Sequence, residues 1–253
     1  MNLTDASPDA RRGRLARPLA RAALALGLLC AAVALLAGPA YRLGLLPLSG
    51  GLMAMRCAAW GALGGAVLAL LAGGLGIGAA ARGAWGWVAA ALLLNAAVAM
   101  PPFLMYRTVQ TVPRIHDIST DTADPPAYVA ALPLRQGARN GTDYSAETAA
   151  LQRKGYPDIA PLQLDLTPAQ AFARAEQAVR TLGWAVVAVA PNDLRIEATD
   201  TTLLFGFKDD IVIRIRPQGA GSRVDMRSLS RVGGSDFGVN AKRVRRFLQE
   251  MAH

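Results

Sequence analysis

The stretch AALALGLLCAAVALLAGPAY at residues 22–41 contains no charged residue and decides the first half of the fold. Two further uncharged stretches follow it, at residues 57–81 and 83–106. At a rise of about 1.5 Å per helical residue, each stretch is long enough to cross a hydrocarbon core about 30 Å thick. The sequence therefore predicts three membrane spans, and an odd number of spans places the two ends of the chain on opposite sides of the membrane.

The positive charge is concentrated before the folded part of the chain. The formal net charge is +9, and residues 1–106 contribute +6 of it, from eight Arg and two Asp. Residues 107–253 hold the remaining 19 basic and 16 acidic residues, so this part is nearly balanced. Since the excess lies beside the first span, it is typical of a topology signal, and we expect no nucleic-acid binding.

The orientation of the spans follows from the arginines. Five of them precede the first span: Arg11, Arg12, Arg14, Arg17 and Arg21. This bias predicts a cytoplasmic N-terminus, so the chain leaves the membrane outward at residue 106. Everything from residue 107 is then extracytoplasmic, which in a bacterium means a multi-pass inner-membrane protein with a periplasmic C-terminal domain. The apolar piece 43–55 contains Pro47 and is too short to cross, so we expect it to lie in the interface or to re-enter.

A cleaved signal peptide is the alternative for the first span. The Arg-rich start and the apolar run fit one, with residues 37–40 as a weak small-residue cleavage site. Cleavage would leave two spans that begin outside the cytoplasm. The C-terminal domain is therefore predicted to be external in both cases.

The spans are predicted to pack closely and to conduct nothing. Glycines recur at four-residue spacings that allow helix backbones to approach: Gly61, Gly65, Gly74 and Gly78. Asn95 is a candidate for an interhelical hydrogen bond. Pro101-Pro102 is expected to bend or end the third span. No ionisable residue lies inside the predicted spans, and such residues normally mark ion or proton pathways.

The chain is predicted to have four parts. Residues 1–21 form a cytoplasmic Arg-rich N-terminus, and residues 22–106 form the three-span region. Residues 107–161 are rich in Pro and Asp and are expected to wrap around the domain that follows. Residues 162–253 form that domain. The fold class is a three-span α-helical membrane bundle followed by an α+β two-layer domain, with an antiparallel sheet of about five strands and two helices.

Alternation and capping signals locate the elements of the domain. Strands are predicted at residues 162–166, 184–190, 194–199, 203–215 and 223–232, and helices at 167–182 and 237–251. On one side of the sheet, charged residues are expected to form a solvent-exposed ladder: Arg195, Glu197, Arg214, Arg216, Arg223, Asp225 and Arg227. The last helix is expected to bury Val239, Val244, Phe247, Leu248 and Met251. It is expected to expose Lys242, Arg243, Arg245 and Arg246.

Several motifs together resemble a known family. They are residues 115–121 (IHDISTD), 156–158 (YPD), 196–200 (IEATD), 205–214 (FGFKDDIVIR) and 225–243 (DMRSLSRVGGSDFGVNAKR). Over about residues 110–250 the chain resembles the domain-of-unknown-function 1499 family of bacterial envelope and plastid proteins. The resemblance implies a shared fold and no particular mechanism.

The last of these motifs contains the candidate site. Six polar residues surround the Gly233-Gly234 turn: Ser228, Ser230, Arg231, Ser235, Asp236 and Asn240. The two serines should face inward where the last helix begins, and a helix N-terminus beside Ser and Arg can hold an anion. The alternative is structural, with Ser235 or Asp236 capping the helix and Arg231 paired with a nearby Asp.

The sequence favours binding over catalysis. We expect a non-catalytic module that contacts the lipid bilayer and binds an envelope protein or a small anionic ligand, with no cofactor. The enzymatic alternative is a hydrolase in which His116 activates Ser228 or Ser230. His116, Asp117, Asp121 and Asp124 have no zinc or calcium spacing, so no metal site is expected.

Overall fold

The computed structural model describes residues 8–77 and 83–252. The chain divides into two compact units, Met1–Arg107 and Thr108–His253. Each unit has its own packed interior.

The first unit is helical. Over residues 8–77 and 83–109 it contains α1 (Pro8–Arg42), α2 (Leu48–Leu75) and α3 (Trp85–Val109). Each of these helices contains a segment long and apolar enough to cross a membrane. The prediction of three long apolar helices, each able by length and composition to cross a membrane, is therefore confirmed.

The prediction for residues 43–55 is wrong, and one of the two alternatives for Pro101-Pro102 is excluded. Residues 48–55 form the first turns of α2 instead of a separate interfacial piece, because Pro47 stands immediately before the helix, where its fixed φ is tolerated. Arg56 consequently lies inside α2, one residue before the predicted second span at residues 57–81. Pro101 and Pro102 lie inside α3, which continues to Val109, so they do not end the span.

Asn95 joins the helices as predicted. It is fully buried, and its Nδ2 donates hydrogen bonds to the carbonyl oxygen of Ala23 in α1, at 3.1 Å, and to that of Ala91, at 2.8 Å. A Cβ atom at Gly65 in α2 would clash with Asn95 Oδ1. The amide group therefore occupies space that only a glycine on the neighbouring helix leaves open.

The other glycines of the series differ in their packing. A Cβ at Gly61 would lie 2.6 Å from Cys30 Sγ, so a close approach of helices requires this glycine too. At Gly74 a Cβ would meet open space, and the predicted role in packing is wrong there. Gly78 lies outside the described residues.

The second unit is built on an antiparallel sheet. Six strands are described in residues 108–252: β1 (Asp117–Ser119), β2 (Leu162–Leu164), β3 (Ala185–Ala190), β4 (Arg195–Thr201), β5 (Lys208–Gln218) and β6 (Gly221–Ser230). Their order is β1-β6-β5-β4-β3, and β2 also pairs with β6. The additional strand is β1, which comes from the predicted wrapping segment and lies opposite residues 227–229.

Three α-helices flank the strands within residues 108–252: α4 (Ala146–Gly155), α5 (Pro168–Thr181) and α6 (Val239–Ala252). The capping box predicted for α5 is present, with Thr167 and Gln170 bonded to each other's backbone. Gly183 follows the helix with φ +73°, a left-handed conformation that favours glycine.

The main core lies between the sheet and the two helices α5 and α6. It contains Phe172, Val179, Ile196, Ile211, Ile213, Met226, Val244, Phe247 and Met251. Two predictions for α6 are wrong: Val239 is exposed and Arg243 is buried. Arg243 turns inward because it lies on the helical face that carries Asn240 and Phe247, three and four residues away.

The opposite face of the sheet is covered by the segment 120–142. Tyr128 and Ala131 of this segment pack with Val212 and Leu229 in a second small core. The charged ladder predicted for this face pairs as expected, for example Arg195 Nε with Glu197 Oε1 at 3.0 Å. Its expected exposure is wrong, since Glu197 and Asp225 are 0% exposed and Arg227 is buried.

Candidate functional site

Ser228, Ser230 and Asn240 meet where β6 ends and α6 begins. Ser228 Oγ donates to Asn240 Oδ1 at 2.7 Å. Asn240 Nδ2 donates to Ser230 Oγ at 3.0 Å and to the carbonyl oxygen of His116 at 2.9 Å. The predicted inward orientation of both serines is confirmed, and all three side chains are buried.

Asp236 caps α6. Its carboxylate accepts hydrogen bonds from the backbone N–H groups of Gly238, at 3.0 Å, and Asn240, at 2.6 Å. Burial raises the pKa of Asp236 above its ordinary value, although these two N–H groups act in the opposite direction. Ser235 Oγ accepts from the N–H of Phe237 at 3.3 Å. The protein's own carboxylate therefore fills the helix N-terminus at which an anion was predicted to bind.

Arg231 points to the other face of the sheet. Its Nε and Nη2 donate to the two carboxylate oxygens of Asp210 at 2.8 and 2.7 Å, and its Nη1 donates to the carbonyl oxygen of Leu134 at 2.6 Å. The structural alternative, in which Arg231 pairs with a nearby Asp, is therefore confirmed, and Arg231 does not join the inward-facing serines because side chains alternate along β6 and Ser230 takes the inward place. The structure thus brings five of the six predicted residues together.

Arg243 is the residue of this cluster that the sequence did not reveal. Its Nη2 donates to Asp200 and Asp209, both at 2.8 Å, and its Nη1 donates to Ser228 Oγ at 3.1 Å and to Asn240 Oδ1. The three-residue spacing from Asn240 was the available signal, because it puts both side chains on one helical face. Arg243 therefore joins the Ser228–Asn240 pair to Asp200 and Asp209 in one buried hydrogen-bond network.

A second buried network is centred on Asp210. Besides Arg231, its carboxylate accepts hydrogen bonds from Arg135 Nη1 at 2.6 Å and from Thr199 Oγ1 at 2.8 Å. Burial acts to raise the pKa of Asp210, but the hydrogen bonds from Arg231 and Thr199 and the guanidinium charge outweigh it, so the pKa lies below its ordinary value. Asp210 therefore connects β4, β5, the end of β6 and the covering segment.

A third network joins β1 and the covering segment to β6. Arg227 donates to both carboxylate oxygens of Asp117, at 3.0 and 2.7 Å. Its guanidinium also lies over the rings of Tyr128 and Tyr144, 5.2 and 5.4 Å from their centroids. Burial raises the pKa of Asp117 despite the opposing effect of Arg227, and burial raises the pKa of Tyr128 well above its ordinary value.

Glu197 holds a turn of the covering segment. Its buried carboxylate accepts hydrogen bonds from three consecutive backbone N–H groups, those of Val129, Ala130 and Ala131, at 2.8 to 3.1 Å. A carboxylate that accepts several N–H groups orders the backbone in the same manner as a helix cap. Glu197 therefore holds this turn at its three N–H groups, and Asp210 holds the end of the turn through Arg135.

The hydrolase alternative requires a hydrogen bond between a serine and an imidazole. In the described part of the chain no hydrogen bond joins the His116 ring to Ser228 or Ser230. His116 reaches the cluster through its carbonyl oxygen, and the serine hydroxyls are bonded to Asn240 and Arg243. The same residues, 8–77 and 83–252, contain no group of three or more His, Cys, Asp or Glu placed to hold a metal ion.

The model of one protein family, described as a protein of unknown function (DUF1499), matches residues 117–251, more than half of the chain. The chain belongs to the DUF1499 family. The DUF1499 match begins at the first residue of β1 and ends in α6, so the DUF1499 domain includes the whole sheet and its covering segment. It also includes the three buried networks and excludes α1–α3. No curated protein sequence matches the chain.

Proposed function

We propose that this DUF1499 protein is a membrane-anchored, non-catalytic binding module whose C-terminal domain lies outside the cytoplasm and binds another envelope protein. In a bacterium, the anchor would lie in the inner membrane and the domain in the periplasm. The anchor is supported by the three long apolar helices. The orientation is supported by the arginines that precede the first span.

The observation that carries the binding function is an exposed apolar patch on the covering segment, formed by Val129, Leu132 and Leu134. These side chains are 50, 46 and 51% exposed, although all three come from one short turn. Neighbouring exposed aliphatic side chains of this kind are typical of surfaces that another macromolecule covers.

The turn that carries the apolar patch is rigidly attached to the sheet. Ala131, between Val129 and Leu132, and Arg135, after Leu134, are buried, and Glu197 and Asp210 hold the two ends of the turn. The patch residues are thus held outward before any partner arrives. Preorganisation of this kind lowers the ordering cost of association, and covering the apolar area contributes about 25 cal/mol per Å².

A small anionic ligand at Ser228, Ser230, Ser235, Asp236 and Asn240, with Arg231, is the second candidate function and stays a prediction. The polar groups there are already bonded to one another, and an anion at the start of α6 would have to displace the Asp236 carboxylate. The geometry therefore favours the protein partner.

The apolar patch makes a direct prediction for photo-crosslinking in intact cells. With a photoreactive amino acid at Leu132, we expect a discrete crosslinked product that mass spectrometry identifies as this chain joined to a different protein. The matched control is Gln177, an exposed residue of α5 on the opposite side of the sheet. Val129→Ser together with Leu134→Ser should reduce the product at position 132 several-fold.

The same experiment can contradict the proposal. Products of equal yield at positions 132 and 177, or a product that contains only a second copy of this chain, would exclude a specific envelope partner at the apolar patch. No product at either position in cells that accumulate the intact chain would also count against it.

The orientation makes a separate prediction. A reporter enzyme that is active only in the periplasm should be active when fused after His253 and silent when fused after Arg82, because three spans precede His253 and two precede Arg82. The measurement is reporter activity normalised to the amount of each fusion. The reverse pattern would contradict the three-span orientation.

A further inference from the structure

The chain enters the sheet of the second unit at the end where β1 begins and β6 stops. The carbonyl oxygen of Ile115 accepts a hydrogen bond from the N–H of Asp236 at 3.1 Å, and that of His116 accepts one from the N–H of Ser230 at 3.0 Å. Helix α3 ends only six residues before Ile115. At about 3.3–3.6 Å per residue, this connection spans at most about 20 Å.

The loop between β4 and β5 projects from that same end of the sheet. Thr201 pairs with Lys208 across the two strands, and the carbonyl oxygen of Lys208 accepts a hydrogen bond from the N–H of Arg231, next to Ser230, at 3.0 Å. We refer to residues 202–207 as the tip loop. Its sequence is TLLFGF, and an apolar loop of this kind is unusual where a strand reverses.

The tip loop is ordered and presents an apolar side chain. Thr202 closes it, with hydrogen bonds between Thr202 N–H and the carbonyl oxygen of Phe207 and between Phe207 N–H and Thr202 Oγ1, both at 2.9 Å. The rings of Phe205 and Phe207 stack at 5.2 Å between centroids. Leu203 is 91% exposed, the highest value among the large apolar side chains that the structure describes.

The charge on this end of the sheet is positive. Arg114, Arg139 and Lys208 are exposed, and none of them forms an ion pair with the residues described. Arg139 and Lys208 are neighbours, since each is bonded through its backbone to Arg231. Of the acidic side chains nearby, Asp200 and Asp209 share the single guanidinium of Arg243, so the three exposed cations outweigh the one negative charge that remains.

We propose that the tip loop contacts the surface of the bilayer that holds α1–α3, with Leu203 in the headgroup region and Arg114, Arg139 and Lys208 against anionic lipid headgroups. Apolar insertion combined with basic residues is the usual means by which a protein surface adheres to anionic lipid. The short connection after α3 supports the bilayer as the binding partner of the tip loop. It keeps this end of the sheet within reach of the membrane, so the effective concentration of lipid at the tip loop is high.

The test uses the full chain reconstituted in vesicles of phosphatidylglycerol and phosphatidylcholine. Cys30→Ala and Cys57→Ser remove the native thiols, and Leu203→Cys carries an environment-sensitive fluorophore. The matched control is Ala220→Cys, in the exposed β5–β6 turn at the opposite end of the sheet. We expect quenching by a nitroxide attached to the lipid headgroup to be at least several-fold stronger at position 203 than at position 220.

The charge contribution is tested on the same labelled chain. Arg139→Gln with Lys208→Gln should reduce the quenching at position 203 in vesicles with phosphatidylglycerol and change it little in vesicles of phosphatidylcholine alone. The proposal would be overturned if a water-soluble quencher, and not the lipid-attached nitroxide, quenched the fluorophore at position 203. Protection of position 203 from both quenchers would also overturn it, since the tip loop would then be covered by protein.

Discussion

Replacing Arg243 by alanine is expected to lower the free energy of unfolding of residues 108–253 by about 3–5 kcal/mol, because it leaves a buried carboxylate without its cation. The Asp209 side chain is 5% exposed, and Arg243 is its ion-pair partner. Ser228 and Asn240 lose a hydrogen bond to Arg243 in the same step. Few single substitutions have an effect of this size.

The measurement is urea unfolding followed by the fluorescence of Trp184, the only tryptophan in residues 108–253. Trp184 packs on Phe247 of α6, with ring centroids 6.1 Å apart, so it reports on the helix that carries the substitution. Arg246→Ala is the matched control, because Arg246 is exposed on the same helix. The control should change the free energy by less than about 0.5 kcal/mol. Equal small losses in both variants would show that the buried network does not stabilise the domain.

Asp210→Asn is expected to lower the free energy of unfolding by about 3–5 kcal/mol near neutral pH, because the substitution leaves a buried guanidinium without a carboxylate. The side chain of Arg135 is 5% exposed, and its ion-pair partner is Asp210. Arg231 loses its bidentate partner as well. Asp158→Asn is the control, since the pair of Asp158 with Arg245 is half-exposed and should contribute less than about 1 kcal/mol.

The pH dependence of this variant has a definite sign. The folded-state pKa of Asp210 is depressed, so its contribution to stability is present above the unfolded pKa of about 3.9 and is lost as the pH falls through the folded value. The difference in the free energy of unfolding between wild type and Asp210→Asn should therefore become smaller when the pH is lowered from 7 to 3. A difference that is constant over this range would contradict the assignment of Asp210 as an ionised, paired carboxylate.

The sequence alone determined the elements that depend on local physics. Three uncharged stretches predicted three long helices, since crossing a bilayer requires only length and apolar composition. Thr167 and Gln170 predicted the start of α5, because a capping box is formed by residues three apart. Alternation along residues 223–230 predicted that Ser228 and Ser230 face inward, and the resemblance to the DUF1499 family rested on contiguous motifs.

Only the tertiary structure decided which charges are buried. Alternation assigns a residue to one face of the sheet, but it does not show what covers that face. Glu197 and Asp225 became buried because residues 120–142, distant in sequence, lie over their side of the sheet. Arg231 donates hydrogen bonds to Asp210, which is 21 residues away in the sequence, and to Leu134, which is 97 residues away. Such partners are brought together by the packing of the whole domain, which a pattern with a period of two or 3.6 residues does not contain.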